Sequence, residues 1–426
     1  MGCAKNEVDS DHMALRLRNA GYFIADDPEQ ADVVVVNTCC FIQAATEESI
    51  EAILEVAGYE SIASGASRLV VAGCMPARYG ADLEGELPEA SSFVPCASEE
   101  SIVEVVDGVL GVERLPGDGA AVLVGAGTEE AKVSAYVKIS DGCDRFCAYC
   151  TIPYIRGRYH SFSEQDIIAE VQRNVDLGAR EIVLIAQDTG RWGQDFEEPS
   201  SLAQLMANLA ERFEGTWFRV MYIQPEGVTD DLVECVASHD NICSYFDIPF
   251  QHANERVLRS MNRRGSARSF LELVSTIRER IPDVTLRTTL IAGYPGETEE
   301  EFEELLDFIE EADLDYVGVF AYSREEGTRS YDLDGQIDEE EKVRRAQAVR
   351  DLADTLSSAR IARRVGSTAD VVVCGFEEDG QPFGRAMCQA PDVDGVTYVD
   401  GGEVGDVVTV RIEDTLFYEM EGSVIG

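Results

Sequence analysis

Three kinds of hydrophobic patterning follow one another along the chain. From residue 1 to about 115, unbroken apolar runs alternate with stretches of helical period. The segments ADVVVVNTC (Ala31–Cys39), RLVVAGC (Arg68–Cys74) and SSFVPC read as strands buried on both faces, because no alternation of polar residues interrupts them. Between them SIEAILEVAGYE and SEESIVEVVDGVL carry apolar residues at helical spacing, the second opening on a Ser-x-x-Ser cap region. Strand–helix alternation predicts a doubly wound parallel sheet. Residues 116–131 are rich in Gly and Ala and read as a linker. From 132 to about 330 the alternation resumes on a longer repeat. SAYVKIS, REIVLIAQD, WFRVMYIQP, YFDIPFQ, VTLRTTLIAGYPGE and YVGVFAYS are strand-like, and helical stretches separate them, giving six β–α units. The stretch from Asp338 to Arg364 predicts one long charged helix with an apolar stripe, suited to joining domains. Residues 365–426 change to β runs with Gly turns, roughly five strands that fit a small OB-like β-barrel.

At 426 residues the chain exceeds a single core, which agrees with domains at 1–115, 132–364 and 365–426. Mean hydropathy of −0.12 allows normal cores. The charge is extreme, with 35 Lys and Arg against 81 Asp and Glu and a formal net charge of −46. Such a surface repels phosphate backbones and favours basic protein partners; adaptation to a salty cytoplasm, or simple lineage bias, produces the same composition. Twelve cysteines without a secretory signal argue against a disulfide framework. No run of about 18 apolar residues occurs, and Asn6 stands where a myristoylation motif needs Ser or Thr. The expectation is a cytoplasmic protein with no membrane segment.

The candidate chemistry lies in Cys143, Cys147 and Cys150, spaced C-x3-C-x2-C after the apolar run Ala135–Ile139. Three thiolates so close suit a soft metal centre, either zinc or a cubic iron–sulfur cluster. A structural zinc asks for a fourth ligand nearby, and the next candidate, His160, comes ten residues after Cys150. A [4Fe–4S] cube on three cysteines leaves one iron open to a small molecule. Both readings stand on the residues alone.

C-x3-C-x-aromatic-C, with Tyr149 as the aromatic, resembles the signature of the radical S-adenosylmethionine enzymes, and the surrounding YVKISDGCDRFCAYCTIPYIRGRYHS is similar to the methylthiotransferases among them. The resemblance implies that Cys143, Cys147 and Cys150 hold a [4Fe–4S] cluster whose open iron binds S-adenosyl-L-methionine and reduces it to a 5′-deoxyadenosyl radical. It implies a partial (β/α)6 barrel for the six β–α units, with strand C-ends lining the active site, and a TRAM domain for the C-terminal barrel. GCAKN, NTCCFI and AGC resemble the three single-cysteine motifs of the methylthiotransferase N-terminal domain. By that resemblance Cys3, Cys39 and Cys74 bind an auxiliary [4Fe–4S] cluster, where the sulfur to be delivered is loaded. Cys39 is chosen over Cys40 because it follows Thr38 directly. Cys40 and Cys96 are read as structural, since a buried free cysteine is a common core residue. Only Met1 and Gly2 precede Cys3, where the family carries a strand.

Other strand ends supply further candidates. Gln187, Asp188 and Thr189 in AQDTG could meet the ribose or amine of adenosylmethionine, or Asp188 could cap a helix. Gln251 and His252 in DIPFQH are candidates for a substrate or proton contact, or for packing and capping. Gly293 and Gly296, with Glu297 and Thr298 opening a helix, resemble the loop that packs on the adenine in radical enzymes. Arg156 and Arg158 suit carboxylate recognition, with a plain salt bridge as the simpler role.

OB-like barrels bind nucleic acids through basic grooves, and this one carries only Arg385 and Arg411 as cations. It is poorly suited to tRNA and well suited to a basic protein. GCAKNEVDS, TCCFIQAATEES and YSREEGT resemble the branch that modifies ribosomal protein uS12. That branch implies methylthiolation of the β-carbon of an aspartate in uS12, two [4Fe–4S] clusters, S-adenosyl-L-methionine, and an external electron donor and sulfur source. The alternative is a tRNA adenosine methylthiotransferase with the same clusters.

Overall fold

Runs that no polar residue interrupts become parallel strands covered on both faces, and this one rule builds two of the three domains. The computed structural model describes residues 2–113 and 132–425; the expected linker, 116–131, lies outside them. β1 (Val33–Thr38), β2 (Arg68–Gly73) and β3 (Ser92–Pro95) form a parallel sheet in that order. Helix Gln43–Ala57 covers one face through Ile53. Helices Ala4–Asn19 and Ile102–Leu110 cover the other through Met13, Leu17 and Val106. The helix expected from Ser98 begins only at Ile102, because Cys96–Ser101 forms a tight 3-10 turn with Ser98 at φ −126°. In register, Thr38 pairs Gly73 and Gly73 pairs Pro95. The residues that follow, Cys39, Cys74 and Cys96, therefore stand together beyond the carboxyl ends of the strands.

The central domain holds β4 (Ser134–Lys138), a short ribbon of β5 (Ser140–Asp141) and β6 (His160–Ser161), and then β7 (Glu181–Ile185), β8 (Trp217–Val220), β9 (Tyr245–Asp247), β10 (Thr285–Ala292) and β11 (Tyr316–Ala321). β4-β7-β8 and β9-β10-β11 are parallel sheets. They are joined where Phe218 N–H donates to Asn241 O and Cys243 N–H donates to Phe218 O, each 2.8 Å. The six strands thus follow in chain order, as the (β/α)6 reading predicts. β9 ends at Asp247 rather than Gln251; Pro249 has no N–H to continue the ladder, and Gln251 rejoins β10 by donating to Thr289 O at 2.9 Å.

Side chains on these strands alternate between two cores. Ala135, Val137, Ile182, Leu184, Phe218 and Val220 face the helices. Val183, Ile185, Trp217, Met221, Tyr245 and Tyr316 face Val8 of the first helix and the C-terminal barrel. That barrel is closed, in the order β12-β13-β14-β16-β15, from β12 (Thr368–Phe376), β13 (Pro382–Ala386), β14 (Thr397–Val399), β15 (Val407–Leu416) and β16 (Glu419–Val424). The connecting helix runs Glu339–Ile361 with Ala346, Val349, Ala353 and Ile361 buried along one stripe. Charge also crosses the joint. Glu181, 1% exposed, takes Arg219 at 2.8 Å and Arg385 of the barrel at 2.7 Å. Burial opposes charge on Glu181, and the two guanidiniums outweigh it, holding the carboxyl at about 2. Arg385 is therefore spent internally, leaving Arg411 as the cation on the outer surface of the acidic barrel. Among the described residues, no helix is long and apolar enough to cross a membrane.

Candidate active site between two cysteine trios

The loop that carries Cys143, Cys147 and Cys150 leaves the end of β4 and is closed at its base by the β5–β6 ribbon, where Asp141 pairs His160. Gly142 turns it with φ +71°, and a Cβ there would lie 2.2 Å from Arg158 O, so no other residue fits without moving the loop. Further along, Cys143 N–H donates to Gly157 O (3.1 Å) and Ala148 N–H to Met261 O (2.8 Å), while Ala148 O accepts from Ser330 N–H (2.8 Å). Asn262 Nδ2 donates to Arg145 O and Phe146 O, at 2.9 and 3.0 Å. The loop is thus held by the ends of several other β–α units. Burial pushes the Cys143 thiol up to about 11 and the Cys150 thiol higher. Arg263 faces Cys147 and Tyr149, a cation placed where thiolates would need one.

Cys3, Cys39 and Cys74 come from three elements to the same rim of the sheet. Cys3 precedes the first helix, Cys39 follows β1 and Cys74 follows β2. Asn6 Oδ1 lies 3.8 Å from Cys3 Sγ and 3.8 Å from Cys74 Sγ. A Cβ on Gly2 would stand 3.1 Å from Cys39 Cβ, which brings the third thiol beside the same spot. Gly73 makes the approach possible: with φ +95°, any Cβ would strike Asn37 Oδ1 at 2.2 Å. Ser49 Oγ fixes Cys39 by accepting its N–H and donating to its carbonyl. Burial pushes the Cys39 thiol to about 11. Cys40 turns into the core with Ile53 and Leu69, and Cys96 donates to Ile155 O at 3.5 Å beside Cys74. Among the described residues, no three His, Cys, Asp or Glu side chains converge on one point as ligands of a single ion would. The fit of each trio to a cluster therefore rests on its donor chemistry.

The remaining sequence candidates divide. Gln187 Nε2 donates to Asp141 Oδ1 at 3.0 Å, and Asp188 accepts Arg145 Nε at 2.6 Å instead of capping a helix. Burial pushes the Asp188 carboxyl up despite that guanidinium. Thr189 is buried with its hydroxyl on Met221 O. His252 is fully buried; its Nδ1 accepts Asn254 N–H at 3.0 Å, and its Nε2 lies 3.3 Å from Glu297 Oε2 without hydrogen-bond alignment. Glu297 accepts Gly293 N–H (3.1 Å) and Arg345 Nη1 (2.8 Å), so it ties the glycine loop to the connecting helix. Thr298 caps the following helix in a box with Glu301. Tyr149 packs with Val257, Met261, Tyr294 and Tyr322. Arg158 is exposed and pairs Asp144 at 3.2 Å, the plain salt bridge.

Arg156 does more. Its Nη2 donates to Asp9 Oδ2 (2.7 Å) and Asn6 Oδ1 (3.1 Å) and lies 3.8 Å from Cys74 Sγ; its Nη1 donates to Asp141 Oδ2 (3.1 Å). Lys138 joins the same two carboxylates. Burial opposes charge on Asp141, and Lys138 with Arg156 outweighs it, holding the carboxyl at about 2. Sequence reading missed Asn6, Asp9, Lys138, Asp141 and Arg145; a lysine inside the buried run AYVKIS was the legible signal.

Buried polar atoms without partners cluster at the strand C-ends: Ser140 Oγ after β4, Gln187 Oε1 and Asp188 Oδ1 after β7, and Gln224 Oε1 after β8. Unsatisfied groups of this kind are costly in a finished core and mark a place for a polar ligand. Phe146, Tyr222, Gln251 and Asn262 all hold positive φ, between 48° and 71°, on this rim. The donor set and the row of orphaned acceptors fit a cluster with a polar small molecule beside it.

Residues 137–309 match the radical SAM superfamily, residues 1–95 an uncharacterized protein family (UPF0004), and residues 365–425 a TRAM domain. The chain is 42% identical to the ribosomal protein uS12 methylthiotransferase RimO of Desulfosudis oleivorans, covering 99% of this chain and 98% of that one. It is 41% identical to the protein of the same name from Symbiobacterium thermophilum (99% and 89%) and 38% identical to that of Clostridioides difficile (100% and 97%). Among solved structures, it resembles the radical S-adenosylmethionine methyltransferase TsrM from Kitasatospora setae, with cobalamin and a [4Fe-4S] cluster bound. The TM-score is 0.51 at 14% identity, over 74% of this chain and 68% of that one, a likeness of fold.

Proposed function

The chain belongs to the ribosomal protein uS12 methylthiotransferases, which are radical S-adenosylmethionine enzymes, and on that premise we propose that it attaches a methylthio group to the β-carbon of an aspartate in uS12. The observation that supports this most is the meeting of the two trios through Arg156. That residue stands six positions after Cys150 in the loop of one trio and touches Cys74 of the other. When bound, two [4Fe–4S] clusters and S-adenosylmethionine supply the radical and sulfur chemistry, and the protein supplies position and a dry pocket.

Cys143, Cys147 and Cys150 would hold one cluster; Cys3, Cys39 and Cys74 would hold the other. Gln187, Asp188 and the loop at Gly293 would orient adenosylmethionine, with Tyr149 closing the pocket from the side of Met261. Glu297 would act by holding the shape of that loop, since its oxygens are already taken by Gly293, Arg345 and the His252 contact. An external reductant and a sulfur source complete the partners. The place of action is the cytoplasm, where the small ribosomal subunit is. The acidic barrel suits a basic ribosomal protein, and its single outer cation, Arg411, gives a phosphate backbone little to bind.

Mass spectrometry tests the reading. The chain is expressed in a host lacking its own methylthiotransferases, and uS12 peptides and tRNA nucleosides are both analysed. A gain equal to S plus CH2 on a uS12 aspartate is expected. The same gain on adenosine with uS12 unmodified would assign the chain to tRNA.

A further inference from the structure

Six basic side chains are buried among the described residues: Lys5, Lys138, Arg156, Arg219, Lys342 and Arg345. Five of them meet carboxylates. The distances are 2.9 Å for Lys138 to Asp141, 2.7 Å for Arg156 to Asp9, 2.8 Å for Arg219 to Glu181, 2.5 Å for Lys342 to Glu339 and 2.8 Å for Arg345 to Glu297. Lys5 is the exception. The residue is only 8% exposed, and among the described residues no carboxylate lies within ion-pair distance of it. Its ammonium sits 3.1 Å from the centre of the Tyr222 ring. An aromatic face partly replaces water around a cation, but it brings no negative charge. In a chain of net charge −46, a buried cation without a carboxylate is the reverse of what chance supplies.

The position of Lys5 gives the exception a meaning. It follows Cys3 by two residues and precedes Asn6, which touches both Cys3 and Cys74. Tyr222, beneath the ammonium, is pinned to the barrel rim. Its N–H donates to Asp247 Oδ2 at 3.0 Å and its carbonyl accepts Thr189 N–H at 3.3 Å, beside the unpartnered Asp188 Oδ1; Gln224 Oε1 follows two residues on. The ammonium therefore stands between the auxiliary trio and the orphaned atoms of the strand ends. We propose that Lys5 receives the carboxylate of the aspartate to be modified. This rests on the functional reading above. The carboxylate is attached to the very carbon that must lose hydrogen and gain sulfur, so a fixed cation at this point sets the reacting C–H in place. It also selects aspartate over asparagine, because the neutral amide leaves the buried charge unmatched.

The test uses the full chain, iron-loaded, with a synthetic peptide spanning the uS12 aspartate that mass spectrometry finds modified, and the same peptide with Asn at that position. The wild type is expected to bind the Asp peptide roughly tenfold or more tightly than the Asn peptide. Lys5→Met binds both at the weaker level, and Lys5→Arg keeps a preference for Asp. Iron content and circular dichroism establish that each variant is folded, and the wild-type comparison stands whether or not they are. Undiminished discrimination in Lys5→Met overturns the inference. Weakened adenosylmethionine binding with Asp/Asn discrimination intact also overturns it and assigns the ammonium to the cofactor. Modification of uS12 by a wild type that binds both peptides equally sinks the inference alone; absence of any uS12 modification sinks the functional reading with it.

Discussion

Arg156 Nη2 lies 2.7 Å from Asp9 Oδ2, joining the loop that follows one cysteine trio to the helix that follows Cys3. Both side chains are almost fully buried, and Lys138 and Asp141 complete a square of two cations and two anions. A buried pair of this sort adds little over an apolar contact, but breaking one partner is expensive because it strands the other charges. Arg156→Met therefore lowers the melting temperature by roughly 5–10 °C, from a cost of about 3–5 kcal/mol. Asp9→Asn in the same background adds less than it does alone, a coupling read from a double-mutant cycle of thermal unfolding.

The two trios make separable demands. Alanine at Cys143, Cys147 or Cys150 abolishes reductive cleavage of S-adenosylmethionine, measured as 5′-deoxyadenosine released under anaerobic reduction. Alanine at Cys39 or Cys74 leaves that cleavage in place and stops transfer of sulfur to uS12. Cleavage persisting in the first set would refute the assignment of the cluster.

Gly142→Ala tests the loop rather than the ligands. Its new methyl meets Arg158 O at 2.2 Å in a backbone that side chains rarely adopt. On the proposal that each trio holds one cluster, the expected result is that iron and sulfide fall by about half, the N-terminal trio keeping its share. Full iron content in this variant would show that the loop yields more easily than its hydrogen bonds suggest.

Asp394 gives a pH signature. Burial pushes its carboxyl up to about 6, against the pull of Arg287 and the hydroxyl of Tyr245. A carboxyl with a raised folded pKa costs stability once it must ionise: stability is full below the unfolded value near 4, declines as pH rises toward 6, and stays lower beyond. The loss is about 2–3 kcal/mol. Asp394→Asn, which can still accept from Tyr245, flattens this decline in unfolding titrations between pH 4 and 7. An unchanged slope would assign the decline to other carboxyls.

The parts of the fold that were legible are those in which one residue type dictates one outcome. REIVLIAQD and RLVVAGC could only be strands covered on both sides, and three thiols in eight residues marked a candidate site before any fold was known. The first helix was not legible in the same way. Its first half buries Lys5, Asn6 and Asp9 beside Val8, so the inner face reads as polar there, and the apolar positions Met13 and Leu17 come only in its second half. Its register is set by partners at Arg156, Lys138 and Tyr222, each more than a hundred residues away. Asp188 shows the same limit. An aspartate before a helical turn predicts a cap, but Arg145, 43 residues earlier, takes its oxygen instead.

Trp217, Tyr245 and Tyr316 start strands of the central domain and bury their rings against β12 and its neighbours. The wall that the second core completes is thus borrowed from the far end of the chain. Cutting before Val365, where the sequence shows its cleanest change of character, would leave Arg219 and Glu181 facing water across a bare aromatic surface. The boundary visible in composition is crossed by a shared core, so the central strands and the terminal barrel are expected to melt as a single unit, and calorimetry showing two separate transitions would refute this.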